Sequence, residues 1–341
     1  MLRLPFLFGA PADRRAREPL ARRAEEGTAD VTERTSVFAS ALTTMASRAI
    51  RLAETPGWFG AIVAFGGWAL VVSFAEPFGR LWGTGQDARC YWLPSLTAPY
   101  AQSDWTNPIA YVYSPAFLQL ISPLTRLPWQ AFMAVWTGIL LVAVRYLTGP
   151  RLLAVGVVWA AMELAGGNIS LLIAVATVLG FRWPAVWSFA LLTKVSPGIG
   201  LLWFAVRREW TSLGIALGTT LAIIIASGIA VPGAWAQWTD VLARNVGRDG
   251  TWAALPIALW LRLPIAVAVV WWGARTDRRW TVPVAAMIAL PALWYGSLSM
   301  LLAVIPLRDR RRETEGQSGR ESGTELRAGS RRVPEPSILG A

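Results

Sequence analysis

Histidine is absent from the 341-residue chain. That excludes imidazole general-base catalysis and His-ligated metal. A single cysteine, Cys90, excludes an internal disulfide and a thiolate metal cluster, and leaves a free structural thiol. Acid is scarce where it matters. Of 21 Asp and Glu, 13 lie before residue 56 or after residue 308, so only Glu76, Asp87, Asp104, Glu163, Glu209, Asp240, Asp249 and Asp277 remain between. Charged residues make up 16% of the chain, against about 25% in an ordinary soluble domain. Lysine is nearly missing as well: among 32 basic residues Lys194 is the only one, and the rest are arginine. What is abundant is apolar, 54% hydrophobic with 20 Trp. This composition reads as an all-α polytopic membrane protein.

The net charge of +11 in a soluble chain would raise nucleic acid as a partner. Here the partner is the lipid bilayer, with no nucleic acid, because arginine at the cytoplasmic ends of helices sets orientation and meets anionic lipid. Residues 1–51 and 309–341 are polar, Arg- and Glu-rich, and read as disordered cytoplasmic tails. "LPFLFGA" near the start is too short and too quickly followed by charge for a signal peptide. Residues 52–308 form the membrane domain.

Within that domain the apolar runs are Trp58–Phe78, Trp129–Thr148, Leu152–Leu164, Asn168–Phe181, Trp183–Thr193, Pro197–Val206, Thr211–Val231, Trp252–Trp272 and Thr281–Leu307, the last divisible at Pro291. About 20 residues span a bilayer, so several of these about ten segments are too short to cross alone. Short segments at membrane depth are tolerated where they face protein or a water-filled cavity. With both termini cytoplasmic, Arg145, Arg151, Arg182, Arg207, Arg208, Arg275, Arg278, Arg279 and Arg308 all fall inside, as the positive-inside rule requires. The outer face then holds a large first loop, 79–128, the turns at 163–168 and 194–197, and a loop at 232–251. Asp87, Glu163, Asn168 and Lys194 converge there.

In "TKVSPG", Ser196 is a suitable N-cap and Pro197 a suitable first helical residue. A segment 197–206 running inward would offer free N–H groups and its positive dipole end to an anion, with Lys194 adding charge. A lone buried lysine tends to lose its proton, and an adjacent phosphate restores it. The plainer alternative is a lysine snorkelling to the outer headgroups. In "GTGQDARCYW", Asp87 follows a Gly-rich turn and Tyr91 lies four residues on, on the same helical face. Asp87 equally suits a helix cap or a partner for Arg80 or Arg89, and Asp104 is the competing carboxylate. Tyr111 and Tyr113 flank the turn in "YVYSP" and are placed as interfacial anchors are. In "ELAGGN", Gly166 and Gly167 make a turn, Asn168 caps the next segment, and Glu163 is an acid in a costly position. Arg262 is a further costly charge, reaching a phosphate or marking the end of a shorter span.

An aspartate after the first span, "YVYSP" later in the same loop, "GGN" in a short turn and "LLTKVSP" before "RREW" occur in that order. Together they resemble family 87 of the glycosyltransferases, a polytopic group with the GT-C fold that includes mannosyltransferases using polyprenyl-phosphate mannose. The resemblance covers roughly residues 55–307. It implies an enzyme of the plasma membrane, bacterial and multi-pass, with its active site facing outward. A hexose, in the first place mannose, would pass from a polyprenyl-phosphate sugar donor to a glycolipid or polysaccharide acceptor with inversion and without metal or other cofactor. Asp87 would be the general base. Lys194, Ser196 and Arg262 would hold the donor phosphate. Tyr91, Tyr111, Tyr113, Asn168 and Glu163 would contact substrate, and Trp92 and Trp105 would stack on sugar or line the lipid entry. Two departures stand out. The family often shows two prolines after the second tyrosine, whereas this chain has Ser114-Pro115, and the histidine some members carry near the C terminus is replaced by the "LWYGSLSML" region with Tyr295.

Two other classes fit parts of the pattern. Broken helices and a buried lysine suit a transporter or flippase of a lipid or small anion, though the chain shows no inverted repeat. A non-catalytic membrane scaffold also accommodates the missing histidine.

Overall fold

The computed structural model describes residues 57–75, 84–245 (apart from 95, 97, 102, 104–106, 108 and 109) and 257–308. The two tails, Asp104, Trp105, Glu76 and Asp249 lie outside the described residues. Among those described, every regular element is helical. The elements are α1 (Gly57–Ser73), α2 (Gln86–Trp92), α3 (Pro115–Thr125), α4 (Trp129–Thr148), α5 (Leu153–Trp159), α6 (Ala161–Gly166), α7 (Ser170–Gly180), α8 (Trp187–Thr193), α9 (Leu202–Val206), α10 (Trp210–Ala230), α11 (Ala234–Asn245), α12 (Leu259–Arg275) and α13 (Thr281–Ile288). Three 3₁₀ stretches, Pro184–Val186, Ser196–Leu201 and Gly296–Ala303, precede α8, precede α9 and follow α13.

Two helices, α4 and α10, are long and apolar enough to cross a membrane. They differ in what surrounds them. One face of α4 is the core of the molecule: Phe132, Met133, Trp136 and Leu140 are fully enclosed. By contrast, α10 buries only Ala216, Thr220 and Ser227. Its Leu221, Ile225 and Ile229 stand outward, as do Trp58, Phe65 and Leu70 of α1 and Trp260 and Ile265 of α12. Each of these three helices thus presents large apolar side chains outward.

The sequence expectation is met at α4, whose bounds coincide with the apolar run, at α10 to within a residue, and at the expected division near Pro291, and differs at several other places. The run 152–164 is two short helices that meet at Ala160. The run 281–307 breaks around Pro291 into α13 and a 3₁₀ stretch. Proline lacks the N–H a helix interior needs, and its ring clashes with the preceding turn. Two regions expected as loops contain helices. The 79–128 region forms α2 and α3, and the 232–251 region begins with α11, which the polar residues between Trp235 and Asp240 disguise.

The α3 start is written in the sequence. Ser114 is its N-cap, accepting from the Phe117 amide at 3.3 Å, and Pro115 occupies the first turn. At the far end of α4, Gly149 at φ +70° ends the helix by taking a conformation that only glycine adopts cheaply.

Candidate functional site: an acid, an amide and a lysine

The site is built around the turn between α6 and α7. Gly167 has φ +74° and receives no side chain because there is no room: a Cβ there would lie 2.6 Å from that of Ala88. Its carbonyl accepts from the indole of Trp136 at 2.7 Å. The amides of Gly167 and Asn168 both donate to the Glu163 carbonyl, closing α6. The Gly85 amide, just before α2, donates to the Ala165 carbonyl at 2.6 Å. These contacts press α2 onto the turn, so that a Cβ on Gly166 would sit 3.0 Å from Oδ2 of Asp87.

Asn168 is the bridge. Its Nδ2 donates to Asp87 Oδ2 at 3.1 Å, and its Oδ1 accepts from Lys194 Nζ at 3.1 Å. The same Oδ1 also accepts from the backbone amide of Ile169 at 2.7 Å. That backbone donor fixes which end of the amide is oxygen, so the NH₂ end must face the aspartate. Asp87, Asn168 and Lys194 are each half-buried, while Glu163 is fully enclosed. Burial pushes the Asp87 carboxyl above the usual carboxylate range, and the Lys194 charge and the Asn168 donor pull it back. Burial pulls Lys194 below the ordinary ammonium range, opposed first by Glu163 and then by Asp87. One cation therefore serves two acids through a shared polar cluster.

Glu163 has a structural duty. Its Oε1 accepts from the Ser170 amide at 2.6 Å, capping α7. Asn168, expected as that cap, takes the Ile169 amide but not that of Ser170, and the carboxylate of the preceding helix does the capping instead. Glu163 Oε2 faces Gly296, where a Cβ would come within 2.8 Å.

The tyrosines are brought close but turned inward. Tyr91 is fully buried, its ring against Tyr113, Phe117 and Trp136 at 5.2, 5.5 and 5.4 Å, and its hydroxyl is 3.2 Å from that of Tyr113. Tyr111 donates to the Ser114 carbonyl at 2.8 Å. All three are nearly inaccessible (0%, 3% and 9% exposed for Tyr91, Tyr111 and Tyr113), so Tyr91 and Tyr113 form the wall behind Asp87, with Tyr111 packed on Tyr113, rather than a sugar-stacking surface. Trp92 is likewise engaged, donating to Leu127. Tyr295 is exposed.

Ser196 and Arg262 correct the expected phosphate cradle. Ser196 caps nothing: Val195 precedes the 3₁₀ stretch Ser196–Leu201, and the Ser196 hydroxyl is buried without a hydrogen-bond partner. The segment after it is six residues of 3₁₀ helix followed by the five of α9, not one α-helix, so no long dipole points at the site. Arg262 is buried and donates through all three guanidinium nitrogens to the carbonyls of Ile257, Ile288, Leu290 and Pro291. It ties the start of α12 to the break after α13, where helix carbonyls lack their own partners.

No family model, curated protein or solved structure matches this chain.

Sequence reasoning passes over Ser114. Beyond capping α3, its hydroxyl donates to the Leu192 carbonyl, two residues before Lys194. A Ser-Pro pair suits a helix start, but a single hydroxyl that both caps one helix and binds the end of another leaves no further trace in sequence. Ser170, whose amide holds Glu163, is equally silent.

Proposed function

We propose that the chain is a polytopic membrane glycosyltransferase of the GT-C type, taking a hexose from a polyprenyl-phosphate donor. The observation that carries this reading is the half-buried Asp87–Asn168–Lys194 line, a carboxylate and an ammonium held on either side of one orientation-locked amide. Those two charges are what the reaction requires at its two ends. Asp87 takes the proton of the acceptor hydroxyl as that oxygen attacks the anomeric carbon. The bond from the anomeric carbon to the phosphate oxygen breaks, and the polyprenyl monophosphate departs with the negative charge. Lys194 meets that charge where it develops. Attack from the opposite face turns a β-linked donor into an α-glycoside.

Several features support the membrane part of the reading. The outward apolar faces of α1, α10 and α12 suit lipid, and Arg145, Arg182, Arg207 and Arg275 stand at the C-terminal ends of α4, α7, α9 and α12, with Asn168 at the N-terminal end of α7. In that orientation the acid and the lysine face outward and the arginines face the cytoplasm. Mannose is the sugar the motif order favours, with a glycolipid or polysaccharide acceptor. The phosphate role rests on Lys194 alone, because Arg262 is committed to carbonyls and the 3₁₀ stretch offers little dipole.

The test is transfer of label from radioactive polyprenyl-phosphate mannose into a crude lipid acceptor extract by membranes holding wild type, Asp87→Asn or Lys194→Met. Transfer by wild type that disappears in both variants supports the two roles. Transfer that survives Asp87→Asn removes Asp87 as the base. A folded protein inert toward mannose, arabinose and glucose donors returns the weight to a transporter or a scaffold.

A further inference from the structure

At the opposite end of the helices, guanidinium groups lie on aromatic rings. Arg278 sits 4.6 Å from the centre of Trp272, Arg308 5.2 Å from Trp280 and Arg279 5.4 Å from Phe181. The first two rings touch each other edge to face at 6.2 Å, so the Arg278 and Arg308 charges rest on one aromatic platform. Phe181 packs on Trp203 and Phe204 of α9, which brings the third into the same end. All three arginines are exposed.

Among the described residues, acid does not neutralise them. Both described acids at this end, Glu209 and Asp277, are drawn to Arg207, at 2.8 and 2.9 Å. Among the described residues Arg278, Arg279 and Arg308 meet no carboxylate. A guanidinium backed by a ring keeps its N–H edge free, in the fork geometry that matches phosphate oxygens. Trp272 of that platform is exposed, as are its chain neighbour Trp271 under Arg275 and Trp183 under Arg182, two residues after Phe181, as suits side chains at a headgroup level.

We infer that Arg278, Arg279 and Arg308, on their aromatic platform, bind the headgroup of an anionic phospholipid, best one that carries two phosphates. This rests on the chain being embedded in a bilayer. Three guanidinium charges within one patch, none of them meeting a carboxylate among the described residues, match two closely spaced phosphates better than one. The adjoining tryptophans supply apolar contact for the first acyl carbons. A free phosphate would use the arginines without the rings, and RNA would need a basic surface standing clear of the membrane.

The experiment places the full chain in nanodiscs of zwitterionic lipid doped with diphosphatidylglycerol or with phosphatidylglycerol. Lipid retention is read by native mass spectrometry and the melting temperature by intrinsic fluorescence. Wild type should retain the two-phosphate lipid and melt higher with it. The triple variant Arg278→Gln, Arg279→Gln, Arg308→Gln should bind it about a hundredfold more weakly, while Arg244→Gln on α11 retains it as wild type does. Equal retention by the triple variant overturns the assignment. So does displacement of the lipid by inorganic phosphate alone, or binding of single-stranded RNA by the same arginines without any lipid effect. A chain that will not enter the nanodisc refutes the membrane reading itself, whereas a chain that enters without any preference for anionic lipid refutes only this site.

Discussion

Replacing Asn168 with aspartate changes one atom in the bridge and inverts its electrostatics. The new carboxylate oxygen takes the place of Nδ2, 3.1 Å from Asp87 Oδ2. Two unit charges at that distance repel by about 5 kcal/mol at an effective dielectric of about 20. Asp87 is half-buried, and water screening leaves roughly half of that, about 2–3 kcal/mol. Lys194 lies 3.1 Å from the other oxygen and keeps the new acid ionised, so the proton goes to Asp87. At about 1.4 kcal/mol per pH unit the Asp87 titration moves up by about two units. A general base works only when deprotonated, so activity falls as pH drops through that value. The acid limb of kcat/KM for sugar transfer should therefore shift to higher pH by about two units in Asn168→Asp, with the rate recovering in alkali. Asn168→Ala, which removes a hydrogen bond without adding charge, should lower kcat about tenfold. Infrared titration of the carboxyl band reads the same shift without any substrate. An acid limb and a carboxyl band that stay at the wild-type position in a folded Asn168→Asp protein would refute the bridge as a tuner of Asp87.

Arg262→Gln leaves buried carbonyls at the α12–α13 break without their donor and should cost about 3 kcal/mol or more. It should appear as a lower melting temperature in detergent, with KM for the lipid donor unchanged; a raised KM with unchanged stability would restore Arg262 to the phosphate. Gly167→Ala meets both a positive φ and the Ala88 methyl at 2.6 Å and should destabilise by about 2 kcal/mol or more, read by the same melting assay. Ser114→Ala removes a helix cap and the tie to Leu192, about 1–2 kcal/mol. Because the tie ends beside Lys194, kcat should fall as well, and Ser114→Thr should restore both.

The apolar runs announce the helices because lipid-length hydrophobicity is a property of composition, and α4 shows it residue for residue. The polar cluster is half legible. Asp87, Glu163, Asn168 and Lys194 are all rare residues in an apolar chain, and rarity alone marks them. Their roles within the cluster are not legible, since a carboxylate as cap and a carboxylate as base differ only in which donor faces them. Glu163 took the cap that Asn168 was expected to provide, and Asn168 was thereby freed to bridge. Arg262 misleads for a related reason: a guanidinium can satisfy a phosphate or several carbonyls with the same donors, and only the break after α13 decides. The tyrosines show the limit of position as a guide. A ring beside a polar loop reads as a substrate contact until the packing of Phe117 and Trp136 closes over it.

The segment that carries Asp87 is pinned at both ends. Gly85 holds it to the α6–α7 turn, and Ser114 holds its far end to the last turn of α8, next to Lys194. With Asn168 between the two charges, acid, amide and lysine sit in a triangle of backbone ties that no single helix spans. Displacing any one corner drags the other two. If the proposed lipid donor is the substrate, it cannot be admitted by prising the aspartate away from the lysine. The gap between the two charges is set by these ties before anything binds.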